Sequence, residues 1–268
     1  MNSKDIIRED YQLYLGDCID VMRELIDKEV KVDLVLTDPP YGTTYCKWDT
    51  IIPLDEMWDC INQLSYPTTP TILFATQPFI SNLVMSNIDD FSFTMVWDKH
   101  RVSNPFLSKR QPLRVHEELA VFYKKQPYYN PQRLPKRYDT KVDYRSEKSK
   151  EPMVSDSDIL GVTAPRYHYY EDDGTRLPQS IIQAFPGQMN ECMNKHRIHP
   201  TQKPVAFLEY LIKNWTHEND LVLDFTMGSG STGVACRNIH RRFIGIELEE
   251  EYFDMAKERI MTKQAKLI

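Results

Sequence analysis

The sequence predicts a doubly wound α/β fold with a mostly parallel sheet and an inserted region. Short apolar segments of strand length alternate with segments of helical periodicity over residues 11–99, and the alternation returns over 204–260. Because a helix crosses over between successive strands, those strands are expected to run parallel. Residues 126–199 show no regular pattern and are too many for a plain loop, which indicates an insertion.

The first periodic region supplies most of the expected strands. One strand ends at Gly16, and Asp17 is available as the N-cap of the helix that follows. A buried strand after Val30 ends at Asp38, where two consecutive prolines stop it. The remaining expected elements are a helix (55–66), a strand (71–76), a helix (78–87) and two strands (91–99 and 118–125).

The second periodic region reads as a helix followed by a complete βαβ unit. The helix (204–216) has one apolar face, and the unit comprises a strand ending at Asp224, a glycine loop, a helix, a strand ending at Glu247 and a last helix. We therefore expect three parts. They are a first half of the α/β domain (1–125), an inserted region (126–198) and a second half of the α/β domain (199–268).

Length and composition are those of an ordinary globular protein. The 268 residues make one large domain or one domain with a sizeable insertion, and 41% hydrophobic residues with a mean hydropathy of −0.52 exclude disordered and fibrous classes. No apolar run approaches the roughly 18 residues of a membrane span, and the charged N-terminus lacks a secretory signal, so a cytoplasmic protein is expected. Five scattered cysteines without a CxxC pair argue for reduced thiols and against a zinc site, and no metal is expected.

Charge is distributed unevenly along the chain. Residues 98–150 carry 14 Lys and Arg against 6 Asp and Glu, a net charge of +8. The rest of the chain carries 19 against 33, a net charge of −14. One basic segment therefore lies on an acidic protein, and such a segment is suited to a polyanionic partner.

The glycine loop after Asp224 indicates a nucleoside site. Gly228 and Gly230 allow a tight turn, and the free N–H groups of the helix that begins near Ser231 can receive an anion. Glu247 ends the next strand about 20 residues later, where a carboxylate can accept hydrogen bonds from ribose hydroxyls. Close packing alone could also require these glycines. The loop lacks the full GxGxxG pattern, so by itself it leaves NAD and S-adenosylmethionine (AdoMet) both open.

The tetrapeptide Asp38-Pro39-Pro40-Tyr41 indicates a site for an amino group. Asp38 and the carbonyl of Pro39 make two fixed acceptors at the end of a strand, and Tyr41 can stack on an aromatic ring. The exocyclic amino group of a nucleobase offers two N–H donors that match these acceptors. Taken alone, the segment also fits a proline-rich turn with no catalytic role.

At this point the chain resembles the beta group of the AdoMet-dependent, amino-methylating DNA methyltransferases. DPPY (38–41) resembles the catalytic motif of that family and DFTMGSG (224–230) its cofactor loop. HPTQKP (199–204) resembles a segment that folds over the cofactor, and GDC (16–18) resembles the contact to the cofactor's adenine. The motifs come in the circularly permuted order of the beta group. The resemblance covers everything outside the inserted region and implies a Rossmann-like methyltransferase fold.

The resemblance also implies a role for each matching residue. Asp38 and the Pro39 carbonyl would hold the target amino group, Pro40 would stiffen the turn, and Tyr41 would stack on the flipped base. Glu247 would bind the ribose of AdoMet. The residues implied in cofactor binding are Asp17, Cys18, Asp38, Thr201, Lys203, Pro204, Asp224, Phe225, Gly228, Ser229, Gly230, Ser231, Thr232 and Glu247.

The chemistry implied is direct transfer of a methyl group to adenine N6 in double-stranded DNA. In the family, the aspartate-first motif usually accompanies methylation of adenine N6, and a serine-first motif usually accompanies cytosine N4. Because this association is statistical, cytosine N4 is the first alternative. Methylation at cytosine C5 needs a nucleophilic cysteine, typically after a proline, and no cysteine here follows a proline. Methylation of RNA or of a protein amide also stays open, as does a non-catalytic nucleic-acid-binding module. Members of the family often dimerise, so a homodimer is a further expectation.

The basic segment is the expected surface for DNA. Basic residues interleaved with aromatic ones such as Phe106 suit phosphate contacts and stacking, although a solvated surface has the same composition. We expect Trp97, Lys99, His116 and Glu117 to contribute packing at the sheet end and surface charge. The DNA-binding candidates are Lys109, Arg110, Arg114, Lys124, Lys125, Arg133, Lys136 and Arg137.

Overall fold

A computed structural model of the protein describes residues 4–43, 49–103, 105–135, 175–182 and 202–262. The chain divides into two units, one of residues 1–132 with 179–268 and one of residues 133–178. The described part of the second unit contains a two-stranded antiparallel pair, β7 (Leu134–Pro135) with β8 (Thr175–Arg176). Most of the expected inserted region, 126–198, lies outside the described residues, so its boundaries stay a prediction.

The first unit is built, in its described residues, on a nine-stranded sheet. Five parallel strands form its centre, and the strand order is β1-β2-β11-β10-β3-β4-β6-β5-β9. The strands are β1 (Ile6–Ile7), β2 (Tyr11–Leu15), β3 (Leu34–Thr37), β4 (Thr71–Ala75), β5 (Phe91–Asp98), β6 (His116–Phe122), β9 (Ile181–Ile182), β10 (Leu221–Asp224) and β11 (Arg242–Glu247).

Two strands of the sheet, β1 and β6, run antiparallel to their neighbours, and the direction of β6 matters for the site. Strand β6 runs antiparallel to both β4 and β5, with Ala75 opposite Glu118 and Asp98 opposite His116. The carboxyl ends of β2, β3, β4, β5, β10 and β11 therefore share one edge of the sheet, and β6 begins at that same edge. The long connection between β5 and β6 (99–115) must lie there too.

Helices cover both faces of the sheet. Along β4, Leu73 and Ala75 pack in the apolar cluster formed with the first three helices, whereas Phe74 packs edge-on against Phe207 of the fourth. This alternation is what a doubly wound fold requires. The helices are α1 (Cys18–Asp27), α2 (Leu54–Leu64), α3 (Phe79–Met85), α4 (Val205–Trp215), α5 (Ser231–Asn238) and α6 (Glu250–Met261).

The fold class predicted from the sequence, a doubly wound and mostly parallel α/β sheet, is confirmed. The expected cap of the first helix is present, because Asp17 accepts hydrogen bonds from the backbone N–H groups of Ile19 and Asp20. Several element boundaries differ from the expected ones by one to three residues. The difference that affects the site is in β6, which spans His116–Phe122 where 118–125 was expected and therefore includes Glu117. No described helix is long and apolar enough to cross a membrane.

Candidate active site

A cavity of about 600 Å³ opens at the edge where the parallel strands end. Its wall contains the turn after β3 (38–41), the glycine loop after β10 and the residues that follow β2 and β11. It also contains residues from the connection between β5 and β6 and from the segment before α4. Residues distant in the sequence meet there because parallel strands bring all their carboxyl ends to one edge.

The turn after β3 places two reactive side chains in the cavity wall. The Tyr41 hydroxyl donates a hydrogen bond to Oδ1 of Asp38. One face of the Tyr41 ring stacks on Phe79, with 5.3 Å between ring centroids and 28° between planes. Asp49 accepts hydrogen bonds from the backbone N–H groups of Gly42 and Thr43, both 2.9 Å, and so fixes the end of the turn.

Asp38 belongs to a partly buried group of four charges, which we call the charge cluster: Asp38, Lys203, Glu117 and Lys99. Lys203 Nζ lies 2.5 Å from Asp38 Oδ2 and 3.1 Å from Glu117 Oε2. Lys99 Nζ lies 2.7 Å from Glu117 Oε1. The Lys203 side chain is only 9% exposed, and its ammonium group lies 4.8 Å from the centre of the Phe74 ring. Two carboxylates and two ammonium groups balance each other in charge.

Burial and pairing shift the pKa values in the charge cluster. Burial raises the pKa of Asp38, Lys203 opposes that rise and Glu117 adds to it, so the net direction is upward. Burial alone would raise the pKa of Glu117, but Lys203 and Lys99 outweigh it and lower that pKa to about 2. Burial alone would lower the pKa of Lys203, yet its two carboxylate neighbours raise it. Lys203 therefore remains a cation at neutral pH.

The glycine loop and Glu247 form the other end of the cavity. Glu247, 8% exposed, accepts hydrogen bonds from the backbone N–H of Gly228 at 2.8 Å and of Glu249 at 2.9 Å. Burial raises the pKa of Glu247, and these two N–H groups oppose that rise. Gly228 has a φ of +52°, which a residue without a side chain adopts at little cost. Glu247 therefore fixes the loop as well as facing the cavity.

A buried hydrogen-bonded network connects the two ends. The Thr37 hydroxyl donates to Oδ1 of Asp224 at 2.6 Å and lies 2.7 Å from the Thr226 hydroxyl, which donates to the backbone carbonyl of Asp38 at 3.2 Å. Burial raises the pKa of Asp224 to about 6, although hydrogen bonds from Thr232, Thr37 and the Thr226 backbone oppose the rise. The glycine loop and the turn after β3 are thus joined by hydrogen bonds through Thr37 and Thr226.

Comparison with known proteins identifies the family to which the chain belongs. A sequence profile of the DNA methylase family of the N6 and N4 type matches residues 32–258, which is most of the chain. The chain belongs to this DNA methylase family.

Individual relatives agree with that assignment. The type II methyltransferase M.HpaI of Haemophilus parainfluenzae is 25% identical over 263 residues, covering 94% of this chain and 74% of that protein. The structure of an M1.HpyAVI–SAM complex superimposes with a TM-score of 0.60 at 26% identity, covering 93% of this chain and 99% of that one. The cytosine-N4-specific PvuII DNA methyltransferase has a TM-score of 0.62 at 16% identity, with 96% and 88% coverage, and shows the fold alone.

The methyl donor of this DNA methylase is AdoMet, and the cavity has the groups to bind it. Its volume lies within the range of about 300–1,000 Å³ typical of small-molecule sites. The buried carboxylate of Glu247 suits a ribose diol, and the N-terminus of α5 at Ser231 and Thr232 suits a carboxylate. The residues present therefore fit the expected cofactor.

Most residues predicted from the sequence line this one cavity. Three of the expected cofactor residues are not among the residues that line the cavity. Gly230 and Pro204 lie outside the lining, and Thr201 lies outside the described residues. A Cβ at Gly230 would come within 2.8 Å of the Ala256 Cβ, so this glycine is required by packing against α6. The predicted residues that line the cavity are Asp17, Cys18, Asp38, Pro39, Pro40, Tyr41, Lys203, Asp224, Phe225, Gly228, Ser229, Ser231, Thr232 and Glu247.

Among the site residues that the sequence did not reveal are Glu117, Lys99 and Thr37. Glu117 and Lys99 were expected as surface charge, but their side chains are 15% and 17% exposed and belong to the charge cluster. Thr37 is 1% exposed and was not singled out. No sequence signal marked Glu117, because the start of a strand lies at the edge where the parallel strands end only if that strand is antiparallel, as β6 is. No signal distinguishes Thr37 from any other strand residue.

The basic candidates fall into separate places. Arg114 lines the cavity, and Lys109 and Arg110 are exposed on the connection between β5 and β6 at the same edge. Lys124 and Lys125 follow the far end of β6, roughly 20 Å away at about 3.3 Å per residue. Arg133 belongs to the second unit, where its guanidinium donates to Thr175 at 2.6 Å. Lys136 and Arg137 lie outside the described residues.

Proposed function

We propose that this DNA methylase transfers a methyl group from AdoMet to adenine N6 in double-stranded DNA, after the target base has left the helix. The observation that carries the proposal is that Asp38 and Tyr41 line the same cavity as Gly228 and Glu247. A base at the catalytic turn and a nucleoside at Glu247 would share one chamber. Catalysis by positioning needs such a shared chamber.

The residues of the turn after β3 orient the amino group of the base and stabilise the positive charge that develops on its nitrogen. The chemistry that AdoMet supplies when bound is an electrophilic methyl carbon, which the amino nitrogen bonds while the carbon–sulfur bond breaks and its electron pair stays on sulfur. Asp38 and the Pro39 carbonyl accept hydrogen bonds from the two N–H groups and direct the nitrogen lone pair. As nitrogen becomes positive, the Asp38 carboxylate stabilises that charge and can receive the proton that leaves.

Adenine is favoured over cytosine by the aspartate at position 38. Both bases offer an amino group beside a ring nitrogen, so Asp38 and Tyr41 suit either. The family resemblance of the aspartate-first motif supports adenine, and the cytosine-N4 specificity of the PvuII enzyme is a property of that protein. If the modified base proves to be N4-methylcytosine, cytosine N4 replaces adenine N6 as the proposed target.

We place the DNA-facing surface on the connection between β5 and β6. Lys109 and Arg110 are exposed there, and Arg114 reaches the cavity wall. Phe106 is 97% exposed in a single 3-10 turn (Pro105–Leu107), three residues before Lys109 on the same connection. Cations suit phosphates, and an exposed aromatic ring can stack on bases.

Nucleoside mass spectrometry of a methylated plasmid tests the proposed base. N6-methyladenine is expected in plasmid from cells expressing the wild-type protein, and none from cells expressing Asp38→Asn. N4-methylcytosine without N6-methyladenine would overturn the adenine assignment and leave the rest standing. The absence of both modified bases from wild-type samples would count against DNA as the substrate.

Salt dependence of DNA binding tests the proposed surface. Replacing Lys109 or Arg110 with Gln should lower the slope of log K against log salt by about one each, because each lost phosphate contact releases one fewer counterion. The same change at Lys124 or Lys125 should leave the slope unchanged, since these residues lie at the far edge. Equal effects at all four positions would contradict the placement.

A further inference from the structure

Both carboxylate oxygens of Asp38 are already engaged in the structure. Oδ1 accepts from the Tyr41 hydroxyl, and Oδ2 accepts from Lys203 Nζ at 2.5 Å. The proposed reaction needs Asp38 to accept from the amino group of the base. The incoming amino group must therefore share an oxygen with Tyr41 or Lys203, or displace one of the two.

Lys203 has a second partner to which it can turn. Its ammonium lies 3.1 Å from Glu117 Oε2, and Glu117 is held from the other side by Lys99 at 2.7 Å. Pro204 is the N-cap of α4 and follows Lys203 directly, so the backbone next to Lys203 is held by the helix. A rotation of the side chain end is enough to move the ammonium between the two carboxylates.

Resting on the proposed function, we propose that Lys203 and Glu117 are positioning residues that set the charge and the availability of Asp38. Lys203 keeps Asp38 ionised until the base arrives, and Glu117 retains Lys203 when the amino group takes over the Asp38 oxygen. Lys203 is thus a counter-ion that the amino group of the base can displace from Asp38, and Glu117 is the second carboxylate that then binds it. Lys203 thus serves the catalytic turn, in addition to any contact with AdoMet.

The two residues must act on Asp38 with opposite sign. Lys203→Met removes the attractive cation and leaves Asp38 with burial and the repulsion of Glu117, so Asp38 should take up a proton at higher pH. Glu117→Gln removes that repulsion and commits Lys203 wholly to Asp38, so Asp38 should protonate at lower pH. A merely structural role would not produce opposite effects.

Other charged and titratable groups surround Asp38 and stay unchanged in both variants. They are Tyr41 on the same turn, Asp224 at the end of β10, Arg114 near the Tyr41 hydroxyl, and Lys99 behind Glu117. A comparison between variants cancels their common influence.

Carboxyl ¹³C NMR of the cofactor-free protein tests the proposal without relying on activity. The signal of Asp38 is assigned by its loss in Asp38→Asn, and its titration midpoint is compared among wild type, Lys203→Met and Glu117→Gln. We expect a midpoint at least one pH unit higher in the first variant and lower in the second. Lys28→Met, which removes an exposed lysine at the C-cap of α1, serves as the matched control and should leave the midpoint in place.

Single-turnover methylation supplies the functional readout. Lys203→Met should lose at least about tenfold in rate at pH 7 and regain part of it as pH rises, whereas Lys203→Arg should restore the wild-type profile in part. Glu117→Gln should move the acid limb to lower pH. Midpoints that coincide, or that move in the same direction, would overturn the inference even if methylation is intact.

The two failures are separable. A protein that methylates no DNA would sink the proposed function, while the NMR midpoints would still decide the roles of Lys203 and Glu117. If circular dichroism shows that Lys203→Met is unfolded, the Asp38 midpoint in Glu117→Gln alone tests the inference. A lower midpoint supports the inference, and an unchanged or higher one refutes it.

Discussion

Replacing the buried carboxyl of Asp224 should change how stability depends on pH. Asp224 is 4% exposed at the end of β10, and burial raises its pKa from 3.8 to about 6. Asp224→Asn keeps the shape of the side chain, and its amide oxygen can still accept from Thr37. The substitution removes only the group that must ionise in a buried place.

The size of the effect follows from the pKa difference. Because the folded-state pKa lies above the unfolded one, the carboxyl favours folding fully below about pH 4, and this contribution is lost as pH rises through about 6. A difference of about two units at about 1.4 kcal/mol each gives about 3 kcal/mol. The free energy of unfolding of Asp224→Asn, relative to wild type, should therefore rise by about 2 kcal/mol between pH 4 and pH 7, because the unfolded carboxyl is already more than half ionised at pH 4.

Urea denaturation of both proteins at several pH values, without cofactor, measures this difference. Other carboxyl groups titrate alike in the two proteins and cancel. Thr37→Val removes a donor to the Asp224 carboxylate, so the ionised form loses a hydrogen bond and the folded-state pKa of Asp224 should rise further. The pH dependence caused by Asp224 should therefore extend above pH 6. A difference between wild type and Asp224→Asn that stays flat from pH 4 to pH 7 would refute the reasoning.

Three further substitutions separate binding, catalysis and folding. Asp38→Asn should keep AdoMet affinity but lose at least about a hundredfold in single-turnover rate, because its charge matters most as nitrogen becomes positive; a near wild-type rate would contradict this. Glu247→Gln should weaken AdoMet binding about tenfold by calorimetry, as expected for the loss of a charged acceptor, and unchanged affinity would remove Glu247 from the site. Gly230→Val should lower the melting temperature by several degrees, because its Cβ would meet Ala256 and its φ is +74°; unchanged melting would show that the loop tolerates a side chain.

The elements of the fold and the two motifs could be predicted from the sequence because their signals are local. Apolar periodicity marks β2, α1, β4 and α4 within a few residues of their bounds, since burial of one face requires it. The double proline and the clustered glycines mark turns by their own stereochemistry. Because a doubly wound sheet gathers its strand ends, these local signals were sufficient to place Asp38 and Glu247 in one site.

The tertiary structure alone decided which charges meet and which edge each loop occupies. Lys203 pairs with Asp38 across 165 residues of sequence, a contact that no periodic pattern records. Lys109 and Lys124 look alike in the sequence, but β6 runs between them and carries the chain to the far edge. Strand direction is set by pairing with β4 and β5. Pairing depends on the whole sheet, so the position of a charge relative to the site cannot be read from its neighbours in the chain.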